Sequence, residues 1–380
     1  MDFEALFKEY KEPALHGRYV ALQHLEPILE RHSRHGKLSV IGRSVQDRAV
    51  YAYRIGKGKT KILMWSQMHG NESTTTKALF DFLNYLNGEG KLLLDDFSFL
   101  CLPMLNPDGA EVYTRENANG VDLNRDADQR TQPESIALRK AFDDFKPDFC
   151  YNLHDQRTIY GVADSGKPAT VSFLAPAYNF EREVNEVRYK AMHVISAMNK
   201  ALQAFIPGQV GRFDDSFNIN CVGDTFQFLG VPTILFEAGH FPGDYQREQT
   251  RRFIFIALLS GLRHLNENVI VDNEIHDYLN IPQNKINFYD FVYKNIKINY
   301  DSNKIIANFA LQYKEVLIDN QICFEAYIAK IGALDDCFGH IEYDAHGAEY
   351  SDGKNNIPEP EQAANFFLGE TEVANGKVLG

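Results

Sequence analysis

Short apolar runs lie at 62–65, 97–102, 148–153 and 233–236, each flanked by turn residues. Strands buried on both faces carry this pattern, because neither side of the pleat meets water. The stretches between them have helical periodicity. After Glu72, Ala78, Leu79, Phe82, Leu83 and Leu86 fall on one helical face. Ile136, Phe142 and Phe145 mark another helix, a long one runs over about 181–205, and a last one near 245–266 carries Phe253, Ile254, Ala257, Leu258, Leu262 and Leu265. Two amphipathic helices open the chain, near 2–11 and 19–32, with strands following around 37–42 and 49–55. Alternating strands and helices predict an α/β fold, a mixed and largely parallel sheet flanked by helices.

The texture changes after about residue 268. Ile296, Ile298 and Tyr300 alternate with polar residues, as do Phe309, Leu311 and Tyr313, and Asn, Asp and Gly clusters separate these runs. Period-two alternation with such punctuation reads as a small β-rich domain. At 380 residues the chain exceeds what one domain usually needs. The expected division is a catalytic domain over 1–268 and a β-rich domain of unassigned role over 269–380, with a linker near 266–273.

Composition narrows the function. The net charge of −13 disfavours nucleic-acid binding, since phosphate backbones demand Lys and Arg. No stretch reaches the ~20 apolar residues of a membrane span. The start, MDFEALFKEYKEPALHGRY, lacks a basic segment followed by an apolar run, so it does not read as a secretory signal. Cys101, Cys150, Cys221, Cys323 and Cys337 are odd in number and irregular in spacing, which reads as reduced, buried thiols in a cytoplasmic protein. Nothing in the sequence specifies an oligomeric state.

In open sheets of this class, ligands bind beyond the carboxyl ends of the strands. Those ends carry Ser66-Gln67-Met68-His69-Gly70-Asn71-Glu72, Asn106-Pro107-Asp108-Gly109, His154-Asp155 and Glu237-Ala238-Gly239-His240. Two His and one Glu, with a position left open to water, are a catalytic zinc set, and His69, Glu72 and His154 fit it with one Zn²⁺ ion. Glu237 then has a task, which is to take a proton from the activated water and pass it to a leaving amine. His-x-x-Glu alone says little; the agreement of several strand ends carries the reading. Asn106-Pro-Asp-Gly reads as a turn. His240 reads as a loop histidine, and His32 with His35 as an exposed helix end.

The stretch Arg115-Glu-Asn-Ala-Asn-Gly-Val-Asp-Leu-Asn-Arg125 adds more. With HGNE at 69–72, NPDG at 106–109, the strand-end His154 and FEAG at 236–239, the chain resembles the zinc carboxypeptidase family over about 63–267. The resemblance implies that His69, Glu72 and His154 hold zinc and that Glu237 is the general base and acid. It implies that Arg115 polarises the scissile carbonyl and that Asn124 and Arg125 grip a terminal carboxylate. It makes Asp122 the partner behind the first zinc histidine. Each role is physically sensible: guanidinium and carboxylate pair through two parallel hydrogen bonds, a fixed cation stabilises developing negative charge, and a carboxylate behind a His ligand fixes its tautomer.

Two features depart from the family pattern. Its peptidases carry a mobile tyrosine about twenty residues before the catalytic glutamate, whereas here the nearest aromatic is Phe217, which has no hydroxyl to donate. The specificity region offers Val222, Gly223, Asp224 and Thr225. As a substrate-binding residue, Asp224 would favour a basic or amino-bearing end; it also reads as a structural carboxylate. The cytoplasmic murein peptide amidases of the family are nearer than its secreted members. The leading expectation is zinc-dependent hydrolysis of an amide bond in a small peptide or peptide-like substrate with a free carboxylate, by a metallocarboxypeptidase or amidase. The alternatives are an N-acyl amino acid deacylase resembling succinylglutamate desuccinylase and aspartoacylase, and a non-catalytic binding protein on the same fold.

Overall fold

The computed structural model describes residues 2–267 and 274–379. The expected linker and domain boundary fall largely on 268–273, outside the described residues. Two compact units are present: Met1–Gln156 with Ala169–Asn284, and Arg157–Pro168 with Lys285–Gly380.

The first unit is built on an eight-stranded mixed sheet. Its strands are β1 (Lys37–Arg43), β2 (Ala49–Gly56), β3 (Thr60–Ser66), β4 (Phe97–Leu102) and β5 (Phe149–Asp155), and then, beyond the short β6 (Tyr160–Val162) of the second unit, β7 (Val171–Leu174), β8 (Val210–Arg212) and β9 (Thr233–Ala238). The order is β1-β2-β4-β3-β5-β9-β7-β8. The centre, β4-β3-β5-β9, is parallel. The pairs β1–β2, β2–β4 and β7–β9 are antiparallel. This is the mixed, helix-flanked α/β sheet that the alternation predicts.

Helices cover both faces, and the pleat sorts the side chains between them. Ile62 and Met64 of β3 join the core beneath α3 (Thr74–Asn87), α6 (Glu186–Leu202) and α8 (Glu248–Glu267). Leu63 and Trp65 face the opposite core, with α5 (Pro133–Phe145) and α7 (Val222–Phe228). Central strands sandwiched in this way must be apolar throughout, which is why their runs stand out in the sequence.

Some details differ from expectation. Ile136 is 54% exposed, and the buried face of α5 is Ala137, Leu138, Ala141, Phe142 and Phe145. Phe142 and Phe145 lie on that face as expected, and Ile136 falls outside it. Among the cysteines, Cys101 and Cys150 are buried free thiols, but Cys323 is exposed and Cys221 and Cys337 are half-buried. His35 is exposed, whereas His32 is buried, its ring against Tyr53 and Phe80 and its Nδ1 2.9 Å from Asn87 Nδ2.

The second unit is β-rich. Its larger sheet is ordered β13-β12-β11-β14, formed by β11 (Phe288–Ile298), β12 (Ile305–Ile318), β13 (Gln321–Gly332) and β14 (Phe338–Asp344), after the three-residue β10 (Asn284–Ile286). Phe291, Tyr293, Phe309, Leu311, Tyr350 and Phe366 belong to its core. No described helix is long and apolar enough to cross a membrane.

Burial drives the His32 imidazole down from 6.5 to about 4, because the charged ring would sit among aromatic neighbours. The unfolded chain therefore binds this proton first. The stabilisation is complete above about pH 6.5 and is lost as pH falls towards 4, on the order of 3 kcal/mol in total. We expect urea melts of the native protein to show that loss between pH 6.5 and 4, and His32→Gln to flatten it; an unchanged slope would refute the assignment.

Candidate active site

The carboxyl ends of β3, β5 and β9 deliver the polar residues to one edge of the sheet. After β3 the chain turns sharply. Gln67 has φ 48°, and its Nε2 donates to Val20 O (2.7 Å) and Gly70 O (2.9 Å), which fixes the turn that presents His69. Gly70 is needed for close approach: a Cβ there would lie 2.0 Å from Gly109 C. The Asn106-Pro-Asp-Gly segment is the scaffold behind it. Asn106 Oδ1 caps its helix through Gly109 N–H, and Asp108 accepts from Ser44, Gln46 and Arg48.

His69 Nδ1 lies 2.8 Å from Glu72 Oε1, His154 Nδ1 lies 2.8 Å from Glu72 Oε2, and the two Nδ1 atoms are 3.1 Å apart. The donor atoms of these three residues all lie within 4.8 Å of one another, a cluster that could hold a metal ion. The edges of a tetrahedron with zinc-ligand bonds of ~2.1 Å are about 3.4 Å, so these residues fit such an ion with small adjustments. Both histidine rings are buried, as a site protected from bulk water requires.

The surrounding groups hold the cluster in place. Asp155 N–H donates to Glu72 Oε2 (3.1 Å), while the Asp155 carboxylate accepts from Thr74 N and Thr75 N and so caps α3. Asp122 Oδ1 lies 3.0 Å from His69 Nε2. Arg115 spans the two acids, donating from Nη1 to Glu72 Oε1 (3.2 Å) and from Nε to Asp122 Oδ2 (3.1 Å). Arg115 and Asp122 meet because the intervening loop closes on Asn117, whose Oδ1 accepts from Asn119 N and Val121 N.

Charge shapes the titration of these groups. Burial alone would raise the Glu72 carboxyl, but His69 and His154 together hold it well below its usual range. Asp122 follows the same logic, burial being outweighed by His69, Arg115 and Asn124 N–H. Burial depresses the His154 imidazole, and Glu72 offsets this only in part. Glu237 is pushed well above the usual carboxylate range by burial first, then by the charges of Glu72 and Asp155. It sits opposite His154 in the β5–β9 register, with its Oε2 shut off from solvent and unpartnered.

Asn124, Arg125 and Asp224 gather around the start of α7. Asn124 Oδ1 accepts from Val222 N (2.9 Å). The exposed Arg125 donates from Nη1 to Asn124 O (2.8 Å) and reaches Cys221 Sγ (3.2 Å). Asp224 is buried, accepts from Asn218 N (3.3 Å) and has its carboxyl raised to about 7 by burial. Phe217 stands edge-on to Phe180. His240 is buried and packs on Tyr245. Sequence reasoning left two structural supports unassigned: Asp155 and Arg247. Arg247 is a fully buried guanidinium that donates to Ala238 O and Gln156 O. Nothing in the local pattern distinguishes them from surface ions.

Fold and site together define a metallohydrolase. Residues 21–189 match the zinc carboxypeptidase family model. The fold is similar to that of a metallo-carboxypeptidase from Burkholderia cenocepacia (17% identity, TM-score 0.54, covering 66% of this chain and 70% of that one). It is also similar to a Pseudomonas aeruginosa metallo-carboxypeptidase solved with (2-guanidinoethylmercapto)succinic acid (18%, 0.52, 65% and 70%) and to carboxypeptidase A from Helicoverpa armigera (15%, 0.52, 69% and 78%). No curated protein sequence matches significantly.

A ligand bound only by the folded state raises stability, by about 2.7 kcal/mol at a free concentration a hundred times its dissociation constant. We expect zinc to raise the thermal midpoint of the metal-stripped protein and Glu72→Gln to abolish most of that rise. An equal rise in the variant would place the metal elsewhere.

Proposed function

We propose that the protein hydrolyses an amide bond in a small peptide or peptide-like substrate bearing a free carboxylate. The observation that carries this reading is the junction of the His69–Glu72–His154 cluster with Glu237 on the neighbouring strand. In this reading His69, Glu72 and His154 hold one zinc ion. A zinc ion bound there supplies a Lewis acid and lowers the pKa of a nearby water.

The chain's own groups do the rest. Glu237 has an unpartnered buried oxygen, raised proton affinity and a place beside the cluster, which suit it to accept a proton from the attacking water and deliver it to the leaving amine. Arg115, held by Glu72 and Asp122, offers a fixed positive charge to the oxyanion that develops on the scissile carbonyl. Asp122 orients the His69 ring. Asn124 has its oxygen engaged by Val222 N–H, which leaves its Nδ2 as a donor, and Arg125 supplies the cation beside it for a substrate carboxylate. Asp224, near the same helix start, suits an amino-bearing substrate end when ionised.

Glu237→Gln is expected to lower kcat by about 10²–10⁴ with the metal retained; turnover at the native rate would remove Glu237 from the chemistry. On a panel of peptides and N-acyl amino acids, Arg125→Ala should raise KM for substrates with a free carboxylate and leave their amidated counterparts unaffected. Turnover of N-acyl amino acids alone would replace the peptidase reading with the deacylase one.

A further inference from the structure

The chain crosses between its two units three times: after Gln156, before Ala169 and after Asn284. The first crossing comes two residues after His154. Gln156, only 5% exposed, is bonded through both of its backbone groups and both of its side-chain polar atoms. Its N–H donates to Ala238 O (2.9 Å), extending the β5–β9 ladder one residue past its last pair, Asp155–Ala238. Its carbonyl accepts from Arg247 Nη2 (2.9 Å). Its Nε2 donates to Ala169 O (2.5 Å), and its Oε1 accepts from Asn284 Nδ2 (3.0 Å).

One side chain thus ties together the three residues of the first unit at which the chain leaves or re-enters it. The clasp also reaches the strand beyond Glu237. Ala169 and Thr170 lead into β7, where Ser172 lies opposite Glu237, and Thr170 O accepts from Gly239 N–H (2.8 Å). Asn284 Nδ2 and Ser172 Oγ are 3.0 Å apart. Gly239 leaves room for the clasp: a Cβ there would lie 2.0 Å from Ala169 O and 2.4 Å from Gln156 Nε2.

We propose that Gln156 is a positioning residue of the active site, a clasp that fixes His154 and Glu237 relative to each other. It holds them against displacement of the two chain segments that leave the first unit at this point. The inference rests on the proposed function for its catalytic consequence, but not for its structural one. Two side-chain hydrogen bonds, one buried and one part-buried, close the carboxyl end of β5 and the amino end of β7 over β9; without them these strand ends would separate more readily. A displacement of about 1 Å at a reacting group is enough to slow catalysis by up to 10²-fold.

The test uses the full chain loaded with zinc and compares the native protein with Gln156→Leu, which keeps the side-chain volume and removes both amide bonds, and with Asn284→Ala, which removes one. Gln156→Leu should lower kcat about 10- to 100-fold with KM within about twofold. It should retain zinc and speed amide exchange at Gln156 and Gly239 about tenfold relative to α8. Asn284→Ala should move the same readouts less, and the double variant should not exceed Gln156→Leu. Native exchange and native kcat in a folded Gln156→Leu would overturn the proposal, as would a loss of activity explained wholly by lost zinc. If the native protein turns over no substrate on the panel, the proposed function fails, and the exchange rates alone still decide whether the clasp holds these strands. Should Gln156→Leu fail to fold, Asn284→Ala decides by the same measures.

Discussion

The Glu72 carboxylate is the group around which the active site is arranged. A carboxylate taken out of water is unfavourable by several kcal/mol unless positive and hydrogen-bonding groups replace its hydration. Here it meets His69 on one oxygen, His154 and Asp155 N–H on the other, and Arg115 at the rim. A divalent cation added to this set would be only partly neutralised by one carboxylate and two neutral imidazoles and would retain a net positive charge, the electrophilic state that hydrolysis requires. Glu237 is kept out of this pairing. Its position one strand away lets the same buried setting raise its proton affinity.

The constraint propagates outward into the fold. A site with ligands from the end of β5 and the turn after β3, and with its acid–base glutamate on β9, works only if those ends keep their spacing, and the parallel centre β4-β3-β5-β9 provides this through its ladder. Asp155 couples the site to the start of α3, and Arg247 couples the ends of β5 and β9. These buried ionic groups each bond to backbone partners. They therefore stiffen the edge of the sheet.

Much of this is legible in the amino-acid sequence. The four central strands announced themselves because burial on both faces leaves no room for polar alternation, and the ligands followed from reading the strand ends. The strands β7 and β8 at one end of the sheet, four and three residues long, are not legible; runs so short carry no period. His32 was misread because its spacing from His35 resembles a solvated helix end, and only the packing of Tyr53 and Phe80 places it inside. Cys323 was misread in the opposite direction, since a residue in a strand of the smaller unit need not face its core. The segment Arg157–Pro168 belongs to the second unit although it lies far from the rest of that unit in sequence. No local pattern announces a partnership made across more than a hundred residues.

The proposed function requires one zinc ion held by the imidazole nitrogens of His69 and His154 and the Glu72 carboxylate. X-ray absorption spectroscopy of the zinc-loaded protein tests it most directly. The account predicts a first shell of nitrogen and oxygen only, at about 2.0–2.2 Å, with the multiple scattering of two imidazoles. A sulfur scatterer at about 2.3 Å, or a shell without histidine, would contradict it.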